Sequence, residues 1–246
     1  MKLFGSILNY RTADMTLEAA RGLEKALRRV PDSRFVIVDN DSQDGSYERL
    51  RDAVAREGWG DRCEVIASGH NGGFGAGNNI AIRKNLQSDD PAEYFLLLNS
   101  DAIPAENAIE TLVALMDAHP DAGMAGSYVH GPDGEPHCTA FRFPTFVSEL
   151  EGESQTGPLS KLFAQYVVPL GIPDHNTEVP WTAAVCMIVR RETLEKIGLF
   201  DETFFLYFEE TDLCRRARDA GYKVYYVRDA HVSHIGSVKV VVAKKE

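Results

Sequence analysis

Carboxylate and amide side chains follow an apolar segment near the middle of the chain, where they are placed to bind a ligand. The apolar run Tyr94–Leu98 is typical of a strand covered on both faces, and Asn99 and Asp101 come directly after it. Mg²⁺ or Mn²⁺ bound to a diphosphate needs only one or two protein carboxylates, because phosphate oxygens and water fill its remaining positions. The spacing therefore indicates a metal ligand at Asp101. Alternatively, Asp101 could cap a helix that starts near Pro104.

Three acidic residues in the first turn of a predicted helix form a second candidate site. Glu209, Glu210 and Asp212 follow an aromatic-rich segment that begins at Phe204. Aromatic neighbours exclude water and raise the pKa of a carboxyl group, whereas the N-terminus of a helix favours its ionised form. Such a balance suits a general base. The structural alternative is that these residues complement the helix dipole, with Asp212 paired to Arg216 one turn later.

An acceptor-rich loop, Asp39–Ser46, follows the apolar strand predicted at Arg34–Val38. Its side chains could hold a base or a ribose, and alternatively Asp44 and its neighbours cap the next helix. A calcium-binding loop is excluded, because the twelfth position counted from Asn40 is Arg51 and not the bidentate glutamate that such a loop requires.

A glycine-rich segment, Gly69–Asn79, is a further candidate for ligand binding. Its glycines would let a ligand approach the backbone closely, and its asparagines offer both donors and acceptors. The spacing of Gly73, Gly75 and Gly77 does not match the dinucleotide fingerprint G-x-G-x-x-G, and no G-x-x-x-x-G-K-[ST] phosphate loop occurs. A Rossmann dehydrogenase and a P-loop enzyme are therefore not supported. The structural alternative is a glycine-rich turn that precedes a helix.

Two histidines, His231 and His234, follow the last predicted strand. A lone histidine is more often a satisfied structural group than a ligand. At the end of a strand, however, either imidazole could complete a divalent metal site. Both residues are therefore candidate metal ligands.

Composition and charge exclude several classes of partner. The chain has 246 residues and a formal net charge of −11, and its lysines and arginines form no long run, so we expect no nucleic-acid partner. Four widely spaced cysteines form no C-x-x-C pair, which indicates reduced thiols in the cytoplasm. No apolar run of about 18 residues occurs, so we expect no membrane span. The tail 237–246 mixes apolar and basic residues and could make a peripheral membrane contact.

The candidate residues fall at the ends of strands in a predicted α/β fold. Up to about residue 126, short apolar runs alternate with helical patterns, which is typical of a βαβ series with a mostly parallel sheet. In such a sheet, ligands bind beyond the carboxyl ends of the strands. The predicted strands are Leu3–Leu8, Arg34–Val38, Cys63–Ala67, Tyr94–Leu98, Gly123–Ala125, Ala183–Val189 and Tyr222–Val227. The predicted helices are Thr16–Arg29, Ser46–Arg56, Gly75–Asn85, Ala105–Ala118, Glu192–Ile197 and Glu209–Ala220.

A single domain, 1–246, is expected, because the length and apolar content of the chain suit one core. Within it, 1–126 forms the first half and 180–246 forms the second. The stretch 127–179 between them is rich in turn-forming proline and glycine and is predicted to be a variable insertion.

Taken together and in this order, these segments resemble the inverting family-two glycosyltransferases, and most closely their rhamnosyltransferase-like branch. The resemblance covers roughly 6–40, 71–101 and 181–237 and leaves the insertion unmatched. The matching segments are Ile7-Leu-Asn-Tyr10, Val38-Asp-Asn-x-Ser-x-Asp-Gly-Ser46, Asn71-x-Gly-Phe-Gly-x-Gly-Asn78, Leu98-Asn-Ser-Asp101, Gly198-x-Phe-Asp-Glu-x-Phe-Phe205, Glu209-Glu210-x-Asp-Leu213 and His234-x-Gly-Ser237.

The resemblance implies a glycosyltransferase A-type fold, which is Rossmann-like, with a mostly parallel sheet, helices on both faces and a smaller acceptor-side region. It also implies a nucleoside-diphosphate sugar donor, linked to dTDP, UDP or GDP, with Mg²⁺ or Mn²⁺ on the diphosphate. The acceptor would be a carbohydrate, a lipid-linked saccharide or another hydroxyl compound, used in bacterial-type polysaccharide or glycoconjugate assembly. By the same resemblance, 1–126 binds the nucleotide sugar and 180–246 carries the acceptor site and the base.

The resemblance also implies roles for individual residues. Asp101 would bind the metal, and His234 would be a second contact to the metal or the diphosphate. Trp181 would begin the acceptor wall. The donor-binding residues would be Asn9, Asp39, Asn71, Gly73, Asn78 and Asn99.

The general base implied by the resemblance is Glu210, at a position where relatives usually have aspartate. It would take the proton of the acceptor hydroxyl as the acceptor oxygen attacks the anomeric carbon, which gives an inverted product. The extra methylene of glutamate moves the carboxylate by roughly 1 Å, and misplacement of that size can cost about 10²-fold in rate. Asp212 and Glu209 are therefore alternative bases. A second departure is Ala184, where the family usually has glycine.

The departure at the base leaves an alternative function, a non-catalytic or weakly active nucleotide-sugar-binding protein of the same fold. A glycoside hydrolase that uses Glu209 and Glu210 as a pair is disfavoured, because adjacent helix residues point about 100° apart. We expect a cytoplasmic protein, with the inner face of the membrane as an alternative location. The donor sugar, its nucleotide, the acceptor, the linkage and the oligomeric state are left open.

Overall fold

A mixed β-sheet with helices on both faces forms the centre of the molecule, and the computed structural model describes residues 1–144 and 168–236. The strands are β1 (Leu3–Asn9), β2 (Ser33–Asp39), β3 (Cys63–Ala67), β4 (Tyr94–Asn99), β5 (Ala102–Pro104), β6 (Ala122–His130), β7 (Pro136–His137), β8 (Ala140–Phe141), β9 (Thr177–Val179), β10 (Trp181–Thr182), β11 (Cys186–Arg190) and β12 (Lys223–His234). The helices are α1 (Ala13–Leu27), α2 (Ser46–Arg56), α3 (Gly73–Leu86), α4 (Ala108–Ala118), α5 (Arg191–Ile197) and α6 (Glu209–Asp219).

The main sheet has the strand order β3-β2-β1-β4-β11-β6-β12-β5. Strands β1 to β4 run parallel, β11 runs antiparallel between β4 and β6, and β12 runs parallel to β6. The register places Asn9 opposite Asp39 and Leu8 opposite Asn99. Polar residues at the carboxyl ends of these strands are therefore collected on one edge of the sheet, where an α/β fold binds its ligand. The predicted α/β fold is confirmed.

Two apolar layers cover the sheet, one on each face. Along β4, Leu96 and Leu98 join a cluster with α1, α2 and α4, whereas Phe95 and Leu97 join a cluster with α3, α5 and α6. Each of these side chains is at most 2% exposed, so the strand is buried on both faces. That is why its sequence is a continuous apolar run and not an alternating one. Burial of each leucine stabilises the fold by about 1.5–3 kcal/mol.

The last strand is longer than the sequence pattern indicates. β12 runs from Lys223 to His234, and its register against β6 shifts between Val227 and His231. Such an irregularity lets the polar pair Arg228-Asp229 interrupt the apolar pattern without ending the strand. The prediction that both histidines follow the strand is therefore wrong, because they lie within it.

The predicted insertion begins inside a strand, since β6 continues to His130 and not only to Ala125. Strands β7, β8 and β9 also belong to the stretch 127–179, and β9 pairs with β12. Residues 145–167 lie outside the described residues. So does the tail 237–246, whose apolar and basic residues could make a peripheral membrane contact. In the part of the chain that the structure describes, no helix is long and apolar enough to cross a membrane.

The four cysteines are all free, as predicted. Cys63, Cys186 and Cys214 are buried, and Cys138 is partly exposed. Burial raises the pKa of the Cys186 and Cys214 thiols to about 12. These thiols therefore stay protonated and serve as small core groups.

Candidate active site

Asp101 and His234 lie side by side, although they are far apart in the sequence. Strand β5 pairs antiparallel with β12, with His234 opposite Ala102, and the Ile235 amide donates to the Asp101 carbonyl at 2.9 Å. This pairing brings Nε2 of His234 to 3.1 Å from Oδ1 of Asp101. The side chain of His234 is 17% exposed and that of Asp101 is 10% exposed. The two residues predicted as metal ligands are thus in contact.

The alternative role of Asp101 as a helix cap is wrong. Helix α4 begins at Ala108, and its N-cap position is Asn107. The short strand β5 lies between Asp101 and this helix. The Asp101 carboxylate is therefore free to face the edge of the sheet.

A cavity of about 350 Å³ adjoins Asp101. Its lining residues come from the ends of β1 and β4 and from the starts of α1 and α3: Leu8, Thr12, Met15, Phe74, Asn99, Ser100 and Asp101. Among the described residues, no three His, Cys, Asp or Glu side chains converge as a complete metal cage. A carboxylate and an imidazole beside an open cavity suit a divalent cation that takes its remaining ligands from a diphosphate and from water.

His231 lies apart from this pair. Its ring is exposed and packs edge-on against Tyr128, with 4.8 Å between the ring centroids. His130 is its other aromatic neighbour, at 6.3 Å. Of the two candidate histidines, only His234 is therefore placed to share a ligand with Asp101.

Asn9 and Asp39 form a buried hydrogen-bonded pair at the ends of β1 and β2. The Asn9 amide donates to Oδ1 of Asp39 at 2.7 Å, and its oxygen accepts from the Thr16 hydroxyl at 2.8 Å. The Ser42 hydroxyl donates to the same Asp39 oxygen at 2.6 Å, and the Ser42 amide donates to Oδ2 at 3.2 Å. Asn9 is 0% exposed, so its side chain orients Asp39 and does not face the solvent.

Asn40 was not singled out from the sequence, although it connects the two donor-side loops. Its amide donates to Oδ1 of Asn71 at 2.8 Å, and the same Asn71 oxygen accepts from the Gly73 amide at 3.1 Å. Oδ1 of Asn40 is buried and has no hydrogen-bond partner within 1–144 and 168–236. A buried acceptor without a partner is the kind of group that a bound ligand can satisfy.

Asp44 stabilises the start of α2, which agrees with its capping alternative. Its carboxylate accepts a hydrogen bond from the Ser46 amide at 3.0 Å. Hydrogen bonding to Ser46 lowers the pKa of Asp44. Asp44 therefore holds its own loop and is not part of the cavity beside Asp101.

Gly73, Gly75 and Gly77 of the glycine-rich segment pack against protein, so the prediction that these glycines admit a ligand needs correction. A side chain at Gly73 would place its Cβ 1.9 Å from the Phe205 carbonyl oxygen. At Gly75, the Cβ would lie 2.9 Å from Cβ of Phe200, and at Gly77 it would lie 2.3 Å from the Leu8 side chain. The three glycines thus allow α3 to approach β1 and the segment that precedes α6.

The side chain of Asn78 is also turned into the protein. It is 1% exposed, its oxygen accepts from the Ser6 hydroxyl at 2.9 Å, and its amide donates to the Phe74 carbonyl at 3.1 Å. Asn78 therefore fixes α3 on β1 and does not line the cavity, whereas Asn99 does.

Glu210 carries a buried carboxylate oxygen, Oε2, with no hydrogen-bond partner in the described part of the chain. Burial raises the pKa of this carboxyl to about 7 against the opposing effect of its own backbone amide, with a smaller contribution from the charge of Glu209. Glu209 is 3% exposed, and burial raises its pKa as well. A pKa near neutrality is what a general base requires.

Asp212, the third acidic residue of this turn, is engaged in an ion pair. Its Oδ2 lies 2.7 Å from the guanidinium of Arg216, one turn along α6. Arg216 also donates to the carbonyls of Ile197 and Leu199, at 2.8 and 2.9 Å. The predicted alternative, in which Asp212 pairs with Arg216, therefore agrees with the contacts of Asp212.

The segment before α6 exposes four large apolar residues in succession. Phe205, Leu206, Tyr207 and Phe208 are 58%, 54%, 67% and 59% exposed. Tyr207 and Phe208 have φ angles of 70° and 71°, in the left-handed region that bulky residues rarely adopt. Contiguous exposed apolar surface and backbone strain both occur preferentially at binding and catalytic sites.

Trp181 lies on a two-stranded sheet beside α6. Its strand β10 pairs with β8, and β11 begins at Cys186, three residues after the predicted Ala183. The indole ring stacks on Phe141 at 4.4 Å, and its Nε1 donates to the Arg142 carbonyl at 2.8 Å. The half-buried indole is thus a rigid surface.

Comparison with known proteins adds a family match. A model of the family described as "Glycosyl transferase family 2" matches residues 17–198. The chain is 26% identical over 210 residues to the N-acetylglucosaminyl-diphospho-decaprenol L-rhamnosyltransferase of Mycobacterium tuberculosis, with 81% of the chain and 65% of that protein covered. It is 29% identical over 170 residues to Rhamnosyltransferase WbbL of Escherichia coli, with 66% of the chain and 60% of that protein covered.

A solved structure has the same fold. The structure of GalNAc-T7 with UDP, GalNAc and Mn²⁺ superposes with a TM-score of 0.68 at 15% identity, covering 97% of this chain and 44% of that one. At this identity the similarity establishes the fold alone. The match covers less than two thirds of the length of the curated relatives named above, 65% of one and 60% of the other.

Proposed function

The chain belongs to glycosyl transferase family 2 and has its A-type fold, and we propose that it transfers a sugar from a nucleoside-diphosphate sugar to an acceptor hydroxyl with inversion. The observation that carries this proposal is the buried, unpaired carboxylate oxygen of Glu210. Its segment adjoins the cavity beside Asp101, because Phe74 lines that cavity and its amide donates to the Phe205 carbonyl at 3.0 Å.

Glu210 acts as the general base in this proposal. Its carboxylate takes the proton of the acceptor hydroxyl while the acceptor oxygen forms a bond to the anomeric carbon. The bond from that carbon to the diphosphate oxygen breaks, and its electron pair leaves with the nucleoside diphosphate. Attack opposite the leaving group inverts the configuration at the anomeric carbon. Burial raises the pKa of Glu210 to about 7, which suits a group that must accept a proton near neutral pH.

Asp101 and His234 would hold a divalent cation, Mg²⁺ or Mn²⁺. Their 3.1 Å separation and the open cavity beside them support this assignment. When bound, such an ion neutralises negative charge on the diphosphate leaving group. Asn99 lines the same cavity and would face the diphosphate.

The nucleoside would lie beside Asp39 and Asn40. Oδ2 of Asp39 accepts one hydrogen bond, from Ser42, and so retains capacity for another. Together with the unpartnered Oδ1 of Asn40, it offers acceptors for the N–H groups of a base or the hydroxyls of a ribose. Asn71 and Gly73 shape this region by holding Asn40, and Asn9 does so by holding Asp39.

A lipid-linked saccharide is the proposed acceptor, and rhamnose is the first donor sugar to test. The names of the two relatives support this choice, since both are rhamnosyltransferases and one acts on a diphospho-decaprenol. The exposed apolar segment Phe205–Phe208, next to the base, suits an acceptor with an apolar part. A lipid-linked acceptor stays in a bilayer, so we place the activity at the cytoplasmic face of a membrane. Trp181 would form part of the acceptor wall.

The other acidic residues are less suited to be the base. Asp212 is held by Arg216. Oε2 of Glu209 is buried without a partner in the described residues, like that of Glu210, but Glu209 is only 3% exposed and lies against α3, where a Cβ at Gly75 would be 3.7 Å from Cβ of Glu209. A binding protein without activity is also less well supported, because both relatives named above are transferases.

A transfer assay tests the proposal. The protein would be incubated with a nucleoside-diphospho-L-rhamnose donor, Mn²⁺ and an N-acetylglucosaminyl-diphospholipid, and the anomeric configuration of the product would be read by NMR. We expect a glycoside of inverted configuration. Thermal unfolding with dTDP, UDP or GDP, with and without Mn²⁺, identifies the nucleotide, since a ligand of the folded state raises the midpoint. No stabilisation by any of the three would refute a nucleotide-sugar donor.

A further inference from the structure

Asn79 connects helix α3 to the segment that leads into the proposed base. Its side chain is 0% exposed. The amide donates to the Phe200 carbonyl at 2.9 Å and to Oε1 of Glu202 at 2.8 Å, and its oxygen accepts from the Phe200 amide at 3.1 Å. One side chain thus binds both backbone groups of a residue more than a hundred positions away.

Three further contacts hold the same segment against α3. The Phe74 amide donates to the Phe205 carbonyl at 3.0 Å. Gly73 has φ of +87°, and there is no room for a Cβ between it and the Phe205 carbonyl. There is likewise no room for a Cβ between Gly75 and the Phe200 side chain. The segment is therefore fixed on either side of Glu202, at Phe200 by packing of its side chain on Gly75 and at Phe205 by packing of its backbone on Gly73.

The start of α6 depends on this attachment. Phe208, at the N-cap position, makes no side-chain capping bond, and both Tyr207 and Phe208 are left-handed. Contacts made by the chain that enters a helix fix the angle at which it enters, as in the hydrophobic staple. Arg216 holds the entering chain from the other side, at the carbonyls of Ile197 and Leu199. Glu210 is the second residue of the helix held in this way.

The opposite end of the glycine-rich segment contacts the donor side. The Asn71 side-chain oxygen accepts hydrogen bonds from the Asn40 side chain and from the Gly73 backbone amide. The backbone amide of Asn40 donates to the Asn9 carbonyl at 2.8 Å. The first turn of α3 is therefore fixed to the loops at the ends of β1 and β2, and its middle is fixed to the segment before the base.

We propose that Asn79 is a positioning residue, which sets the place of the Glu210 carboxylate relative to the bound donor. The proposal rests on the function given above, since it requires Glu210 to be the base. Asn79 touches neither substrate. It acts by holding Phe200 and Glu202, so that its loss displaces the base and leaves the nucleotide site in place.

The test compares Asn79→Ala with Asn85→Ala on the same helix. Asn85 is also a buried amide, 4% exposed, and its oxygen accepts from the Ala92 amide at 2.8 Å, away from the base. Both variants lose a buried hydrogen-bonding side chain. The readouts are kcat, the KM values for donor and acceptor, the pH dependence of kcat, and the unfolding midpoint.

For Asn79→Ala we expect kcat to fall by about 10²-fold, the effect of displacing a catalytic group by about 1 Å. Donor binding should change by no more than about threefold, because the lost interaction acts on the reacting carboxylate. The acid limb of the pH profile should move to lower pH as water reaches Glu210. For Asn85→Ala, kcat and the pH profile should match those of the wild type.

Equal kcat values and pH profiles for the two variants would overturn the proposal. If Asn79→Ala does not fold, Glu202→Ala replaces it. Glu202 is 44% exposed, and its removal deletes one of the three bonds made by Asn79 while sparing the core. We then expect a several-fold loss of kcat, and an unchanged kcat would overturn the proposal. Lack of transfer by the wild type and Asn85→Ala alike would instead refute the proposed function itself.

Discussion

The imidazole of His234 lies 3.1 Å from the carboxylate of Asp101, and 133 residues separate the two in the chain. The contact depends on β5, a strand of three residues that pairs with the last strand of the sheet. From the sequence alone, each residue has an ordinary structural alternative, a helix cap for Asp101 and a satisfied structural group for His234, and the structure excludes the cap. Their contact at the edge of a cavity supports the two-ligand site for a divalent cation that is proposed above.

Asp101→Asn should remove the effect of Mn²⁺ on nucleoside-diphosphate binding, because the amide keeps the shape of the carboxylate and loses its charge. His234→Ala should reduce the gain in nucleoside-diphosphate affinity that Mn²⁺ gives by about 10-fold or more, in line with loss of one ligand. Isothermal titration with and without Mn²⁺ measures both effects. His231→Ala, at an exposed histidine on the same strand, is the matched control and should bind as the wild type does. Unchanged metal dependence in Asp101→Asn would exclude it as a ligand.

Transfer should lose activity on acidification through pH 7. A base must be ionised, and burial raises the pKa of Glu210 to about 7, so kcat should fall roughly tenfold per pH unit below that value and level off above it. The pH profile of kcat at saturating substrate checks this expectation. A flat profile between pH 5 and 8 would mean that another group is the base.

Glu210→Gln should abolish transfer and stabilise the folded protein at alkaline pH. The pKa of Glu210 is about 7 in the folded protein against an ordinary value of 4.5, so the folded state binds more protons than the unfolded state between these values. Stability therefore falls as pH rises through this window and stays low above it. The variant lacks this loss, and urea unfolding at pH 8 and at pH 5 should show a gain that shrinks at the lower pH.

Asp212→Asn should have a small effect by comparison. The ion pair with Arg216 is partly exposed, and pairs of this kind contribute about 0.2–1 kcal/mol to the free energy of unfolding. We expect kcat to stay within a few-fold of the wild type, since Arg216 keeps its two backbone carbonyls. A loss of transfer as large as that of Glu210→Gln would make Asp212 the base.

Gly73→Ala should lower the free energy of unfolding by far more than the strain of its positive φ alone would, because the new Cβ would displace the segment before α6. Gly73 and Gly69 both have positive φ, +87° and +72°, but only Gly73 has an atom, the Phe205 carbonyl oxygen, where the Cβ would go. Gly69→Ala is therefore the control and should cost roughly 1 kcal/mol in the free energy of unfolding. The expected result is a markedly larger loss for Gly73→Ala, together with loss of transfer. Equal losses would mean that the contact with Phe205 contributes nothing.

Most strands of the sheet and the helices that cover it could be predicted, because their apolar residues follow the helical period or form short continuous runs. The continuous apolar run of β4 reflects burial on both faces, and the polar residues after it mark the ligand edge. Strand β5 was missed, because three residues ending in proline carry no periodic pattern. The length of β12 was missed because its irregular register hides the continuation past Arg228.

The roles within the glycine-rich segment could not be inferred from the sequence. A glycine shows that something approaches closely, but whether that is a ligand or a distant part of the chain is decided by tertiary contacts. Here the approaching groups are Leu8, Phe200 and Phe205. Likewise, adjacent asparagines look alike in sequence, yet Asn78 faces β1 and Asn79 faces the segment before the base.

The position of His234 in the last strand of the sheet has a consequence for synthesis on the ribosome. The loops around Asp39, Asn71 and Asp101 leave the ribosome well before His234, so in that interval the chain would have only one of its two proposed metal ligands. Metal-assisted donor binding can then stabilise the protein only after β12 has paired with β5. On the proposed assignment, the strands that precede β12 must therefore fold without help from the metal-bound donor.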